Sequence, residues 1–96
     1  MDVVVAYDIA DTEGQGAARL RNVASICERY GERVQYSVFE CRLSRTRFAQ
    51  MENELRDAMD KNQDCIFIYR FPGCIEDWKM LLGKANERKI GQPWII

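Results

Sequence analysis

The sequence predicts an α+β fold of two layers, a sheet with helices against it, and three observations predict it. Residues 3–9 and 65–71 are short, nearly continuous apolar runs of strand length. Residues 17–30 and 45–60 repeat apolar side chains at spacings of three and four, the period of a helix with one buried face. Between them, residues 33–43 alternate apolar and polar, then switch phase halfway. The resulting order is β-α-β-β-α-β with an extra strand at the C-terminus.

The first strand, Val3-Val-Val-Ala-Tyr-Asp-Ile9, is rich in β-branched residues and reads as a central strand buried on both faces. Asp8 falls where it gives way to a loop. Ligands collect at the carboxyl ends of strands in open α/β sheets. Asp8 is therefore either a ligand-binding group or the first polar residue of a loop, and spacing does not choose between them. Residues 10–16 form a polar loop with two glycines that lack the spacing of a phosphate-binding fingerprint. The first helix then runs from about Ala17 to Tyr30, burying Leu20, Val23, Ala24, Cys27 and Tyr30, with Gly31 as a left-handed cap.

In residues 33–43, Val34, Tyr36 and Val38 are apolar at even positions, and Phe39, Cys41 and Leu43 at odd ones. A strand in constant register cannot do this, because its side chains alternate strictly. The chain must bulge or turn near Val38–Phe39, making two short strands. Ser44 caps the second helix, whose buried stripe is Phe48, Met51, Leu55 and Met59. Pro72-Gly73 ends the strand at 65–71. Trp78, Leu81, Leu82 and Ala85 are compatible with a short helix, and Trp94-Ile95-Ile96 closes the chain with an apolar tail suited to a strand. Such an order gives a single ferredoxin-like sandwich over residues 1–96, an antiparallel sheet with both helices on one face.

Composition bounds the chemistry. The chain has 96 residues, 47% of them hydrophobic, which suits one domain and excludes disorder. No apolar run is long enough for a bilayer, and the N-terminus lacks the features of a signal peptide, so a cytoplasmic protein is expected. Cys27, Cys41, Cys65 and Cys74 have no C-x-x-C spacing, and each lies in an apolar stretch, so all four read as buried thiols. There is no histidine, which removes the usual general base and transition-metal ligand. Hydrolysis here must rest on carboxylates, a hard cation and water.

Net charge is −1, yet residues 19–47 carry seven arginines against three glutamates. Arginine outnumbers lysine ten to four in the whole chain, and its planar fork suits phosphate. The same charges also fit a solvated face that supports the helices.

The motifs Val3-Val-Val-Ala-Tyr-Asp-Ile9 and Gly31-Glu-Arg-Val-Gln-Tyr-Ser-Val-Phe-Glu-Cys41, with the strand Ile66-Phe-Ile-Tyr69, resemble the CRISPR-associated protein 2 family over nearly the whole chain. The resemblance implies a ferredoxin-like homodimer in which residues 92–96 pack on the partner subunit. It implies a role in CRISPR spacer acquisition beside the integrase subunit. For many members it also implies a magnesium-dependent endonuclease, with manganese as a substitute, acting on single-stranded RNA or on DNA. By the same resemblance Asp8 is the catalytic, metal-binding aspartate, and Tyr7 is the aromatic before it. Arg19, Arg21 and Arg33 are nucleic-acid contacts, and Phe39 is a supporting residue.

Physical chemistry adds conditions. Magnesium takes one or two protein carboxylates and keeps several waters. A two-fold axis beside the first strand brings two copies of Asp8 together and so completes the site between subunits. Tyr7 reads as packing before catalysis, and Phe39 as a base-stacking residue or a buried one. Two alternatives stand beside the nuclease: a non-catalytic adaptor that bridges integrase subunits and holds duplex DNA, and a toxin-type ribonuclease of the VapD kind.

Overall fold

The computed structural model describes residues 1–83. The chain runs through β1 (Asp2–Asp8), α1 (Gly16–Tyr30), β2 (Gly31–Gln35), β3 (Val38–Arg42), α2 (Arg45–Ala58) and β4 (Cys65–Phe71), followed by a 3₁₀ turn at Ile75–Asp77. The strands form one sheet in the order β2-β3-β1-β4, each neighbour antiparallel to the next. Each β-α-β unit thus skips a strand: β3 fits between β1 and β2, and β1 between β3 and β4. This is the predicted ferredoxin-like topology.

One core joins Val3, Val5 and Tyr7 of β1, Phe39 and Cys41 of β3, four side chains of α1 and two of α2. Both helices therefore cover the same face of the sheet. Side chains alternate along a strand, and directly paired residues share a face. The other face accordingly carries Val4, Ala6 and Asp8 of β1 beside Tyr69, Phe67 and Cys65 of β4. β1 is an interior strand as predicted, but not one buried on both sides. Val3 and Val5 are fully buried, whereas Val4 and Ala6 are half-buried, because neither α1 nor α2 lies over them.

The same geometry corrects the strand at 65–71. Among the described strands it lies at the edge: Ile66 and Ile68 pack on the core, while Phe67 and Tyr69 remain 54% and 56% exposed. Its continuous apolar run covers two faces with different fates. Cys65 is exposed for that reason, as is Cys74 beyond the sheet; only Cys27 and Cys41 are buried thiols.

The predicted pair of short strands is present. The reversal lies at Tyr36–Ser37, just before the polarity switch, and a bulge between Arg33 and Gln35 shifts the β2–β3 register. Gly31 is not a left-handed cap. Its backbone is extended and α1 passes straight into β2. Glycine is needed there for space: a Cβ would lie 2.4 Å from both Cys41 Sγ and the Glu40 carbonyl. Ser44 caps α2 as expected, its side chain accepting from the Arg47 N–H.

No helix spans residues 78–83, where Trp78, Leu81 and Leu82 are exposed. A short helix persists only if one face is buried, and no described element covers this stretch. Ala85 and the expected terminal strand, 92–96, lie outside the described residues. No helix among the described residues is long and apolar enough to cross a membrane.

Candidate functional site

Asp8 is the last residue of β1, exposed, on the face that the helices leave uncovered. Across the β1–β4 ladder it pairs with Cys65. Among the described residues no ion pair or side-chain hydrogen bond claims its carboxylate. Such a group is a hard oxygen donor of the class magnesium prefers. No cluster of three ligating side chains among the described residues includes it. The donor set therefore fits half of a magnesium site, one carboxylate per chain with water or a second copy supplying the rest.

The backbone that leaves Asp8 is held by two residues that sequence reasoning missed or misplaced. The Ala10 N–H donates to Asp64 Oδ1 at 2.9 Å, and the Ala10 carbonyl accepts from Arg19 Nη2 at 3.2 Å. Arg19 Nε donates to Asp64 Oδ2 at 2.8 Å, and the Asp60 N–H reaches the same oxygen at 2.8 Å. The Asp64 side chain is fully buried. Hydrogen bonding from Arg19 and from backbone N–H groups lowers its pKa to about 2. Nothing in the local sequence marks Asp64, which looks like one more polar residue of an exit loop.

The same loop contains Asp11 at φ 54°, its carboxylate accepting from the Gln15 N–H and its carbonyl from the N–H groups of Gly14 and Gly16. Asp11 thus organises the entry to α1 through the hydrogen bonds its carboxylate and carbonyl accept. Gly16 begins the helix so close to the strand end that a Cβ would lie 1.8 Å from the Ala10 carbonyl oxygen.

Tyr7 and Phe39 stack on each other in the core, with ring centroids 6.2 Å apart. Phe39 is completely buried, so within this chain it packs the core and presents no face to a base. Burial pushes the Tyr7 phenol up to about 12, so it stays protonated at neutral pH. Its hydroxyl points to the Tyr36 carbonyl at 3.5 Å. Arg33 lies over the Phe39 ring at 5.0 Å and pairs with Glu28 at 3.2 Å, while its Nε is buried without a hydrogen-bond partner among the described residues.

The arginine-rich segment divides accordingly. Arg19 and Arg33 are engaged inside the chain, as described. Arg29 pairs with Glu54, Arg42 with Asp2 and Glu76, and Arg47 lies over the Tyr30 ring at 4.6 Å. Arg21 and Arg45 are exposed, with no ion pair or ring contact among the described residues.

A second acidic group sits at the other end of β1, where Asp2, Cys74 and Glu76 could converge on a cation. Arg42 already occupies that position, donating to Asp2 at 2.8 and 2.9 Å and to Glu76 at 2.7 Å. The Ile75 N–H adds a further bond to Asp2. These contacts hold the Asp2 carboxyl well below the usual carboxylate range. The group is an ion-pair cluster, buried at Asp2 and exposed at Arg42 and Glu76, that ties the segment after β4 to the sheet. At about 3.3 Å per residue it lies some ~20 Å from Asp8.

The model of the family described as "CRISPR associated protein Cas2" matches residues 1–79. The chain is 42% identical over 69 residues to the CRISPR-associated endoribonuclease Cas2 of Nitratidesulfovibrio vulgaris, covering 72% of this chain and 68% of that protein. It is 41% identical over 70 residues to the CRISPR-associated endonuclease Cas2 of Halalkalibacterium halodurans, covering 73% of each. Among solved structures, Streptococcus pyogenes Cas2 superposes with a TM-score of 0.76 at 36% identity, covering 86% of this chain and all of that one.

Proposed function

Because the chain belongs to the CRISPR-associated Cas2 family, we propose that it is a magnesium-dependent endonuclease of CRISPR spacer acquisition, built as a homodimer whose catalytic groups are two copies of Asp8. The observation that carries this is the placement of Asp8, an exposed carboxylate with no ion pair or side-chain hydrogen bond among the described residues, at the end of β1 on the sheet face opposite the helices. That face also bears the stacked, half-exposed pair Phe67 and Tyr69. Exposed aromatics of this size mark a surface that another protein covers. A second copy, related by a two-fold axis beside β1, buries them and sets the two Asp8 carboxylates side by side.

The two carboxylates then supply both protein oxygens of a magnesium site. A cation held by the two Asp8 carboxylates would supply Lewis-acid polarisation of the phosphate and activation of water, chemistry for which this chain has no histidine. Arg21, with Arg45, contacts the phosphates of RNA or DNA; Arg19 and Arg33 act from within the fold. Tyr7 packs beneath the site and moves no proton at neutral pH.

One observation favours a second reading. Each chain brings a single exposed strand carboxylate, Asp8, to this end of the sheet, while Arg21 and Arg45 stand without an ion pair or ring contact among the described residues, which also fits an adaptor that grips duplex DNA between integrase subunits without cutting it. A cleavage assay separates the two. Single-stranded RNA and duplex DNA are incubated with the wild type and with Asp8→Asn, with magnesium and with a chelator. The nuclease reading expects cleavage by the wild type with magnesium alone. Wild-type rates in Asp8→Asn overturn it, and no cleavage of either substrate with magnesium or manganese moves the function to the adaptor.

A further inference from the structure

We propose that Asp64 and Arg19 form a positioning clamp for Asp8, holding the backbone behind it so that its carboxylate keeps one direction. The inference deepens the reading of Asp8 as the metal-binding residue and rests on it.

Three contacts converge on Ala10, two residues beyond Asp8, and a fourth joins two of the groups that make them. Asp64 takes its N–H, Arg19 takes its carbonyl, and the two side chains pair with each other at 2.8 Å. The start of α1 packs against the same carbonyl so closely that only glycine fits at position 16. Ala10 has only a methyl side chain, so what is being held is the main chain. On the opposite strand, Asp64 is followed directly by Cys65, the residue in register with Asp8. Ile9, between Asp8 and Ala10, is buried in the core. Asp8 is therefore fixed by the ladder on one side and by a pinned backbone on the other.

The chemistry explains why this matters. A metal site with one carboxylate per chain depends on where that carboxylate points, because it has no neighbouring ligand to share the load. Ligating groups must be held to about 0.5 Å by the residues behind them. An ion pair between the start of α1 and the α2–β4 loop would be an ordinary brace elsewhere in the molecule; here its bonds outside itself go to Ala10, to the Asp60 N–H in the loop before β4 and, at greater length, to the Gln15 carbonyl. It also gives Arg19 a role different from a phosphate contact. All three of its guanidinium nitrogens have acceptors within the chain, Nη1 the longest at 3.5 Å to the Gln15 carbonyl.

The test uses the intact dimer and the variants Asp64→Ala, Asp64→Asn and Arg19→Lys. Amide hydrogen exchange is followed for residues 8–11 and for the core strand residues Val3, Val5 and Phe39. Cleavage is measured against magnesium concentration. Asp64→Ala should speed exchange at residues 8–11 by about tenfold or more while the core amides stay protected. The half-saturating magnesium concentration should rise by about tenfold, the effect of losing a group that orients a ligand. Asp64→Asn keeps an acceptor for the Ala10 N–H and should recover part of both. Arg19→Lys keeps the charge without the fork, and should give the same changes in smaller measure even if Asp64→Ala folds poorly. It should leave the salt dependence of nucleic-acid binding unchanged.

Unchanged exchange at residues 8–11, or exchange that rises equally across the whole sheet, overturns the clamp, as does an unaltered magnesium dependence in an enzyme that cleaves. A wild type that cleaves nothing overturns the nuclease reading instead, and local exchange then decides the clamp by itself.

Discussion

Asp8 and Cys65 stand opposite each other across the β1–β4 ladder, both exposed on the sheet face that the helices leave uncovered. Cys65 is thus a built-in reporter for whatever covers Asp8. Burial pushes the Cys27 thiol up to about 12 and the Cys41 thiol up to about 11, so neither reacts until the chain unfolds. If a second copy covers the face, a thiol reagent should label Cys65 slowly in concentrated protein and faster on dilution into the monomer. Cys74 should react at a rate independent of concentration. Labelling of Cys65 that ignores concentration argues against this interface. Phe67→Asp should shift light scattering toward the monomer with the circular dichroism of the fold intact.

Acid should weaken the fold partly through Asp64. Its carboxyl pKa is about 2 in the folded chain, below the ordinary value of about 4. A group whose pKa falls on folding stabilises the fold above its unfolded pKa, and that contribution is lost as pH drops through the folded value. The melting temperature of the wild type should therefore fall between about pH 4 and about pH 2. In Asp64→Asn the melting temperature should be lower at neutral pH but fall less over that window. Asp2, paired with Arg42, contributes a further loss that both proteins share. Parallel curves for the two proteins contradict the assignment.

Nucleic-acid binding should depend on Arg21 and Arg45 through salt. Each phosphate contact contributes about 0.7–0.9 to the slope of log affinity against log salt. Arg21→Ala with Arg45→Ala should flatten that slope by about one to two with little change in sequence preference. Arg47→Ala, whose guanidinium lies over Tyr30, should change it less. A slope unmoved by the Arg21 and Arg45 pair returns these side chains to a solvated surface.

Phe39 should matter through packing. It is completely buried against Tyr7, so Phe39→Ala should cost about 3–5 kcal/mol in chemical denaturation and Phe39→Leu much less. Phe39→Leu should bind RNA with the wild-type salt slope. A binding defect in a fully folded Phe39→Leu would instead assign the ring to a base.

The features legible in the sequence are those that depend on neighbours along the chain. The β-branched run at Val3–Val5, the polarity switch after Val38 and the cap at Ser44 each report local backbone, and the topology follows from their order. What was not legible depends on position in the sheet. The runs 3–9 and 65–71 look alike, yet one is interior and the other an edge, so Cys65 was expected in the core and lies in the open. Gly31 was expected as a left-handed helix cap, because the close approach of Cys41 across the β2–β3 ladder leaves no local trace. The Arg19–Asp64 pair joins residues 45 apart and left Arg19 expected as a phosphate contact alone. Asp8 itself could be placed at the end of a strand, but which face it occupies required the register with Cys65.

The account turns on Asp8 as half of a metal site that a second copy completes. Manganese is a spectroscopic stand-in for magnesium, and the number of ions bound per chain is read directly by titration with electron paramagnetic resonance detection. The account predicts one tightly bound ion for every two chains of the wild type and none in Asp8→Asn, whose dimer stays folded. One ion per chain, or binding that survives Asp8→Asn, contradicts it.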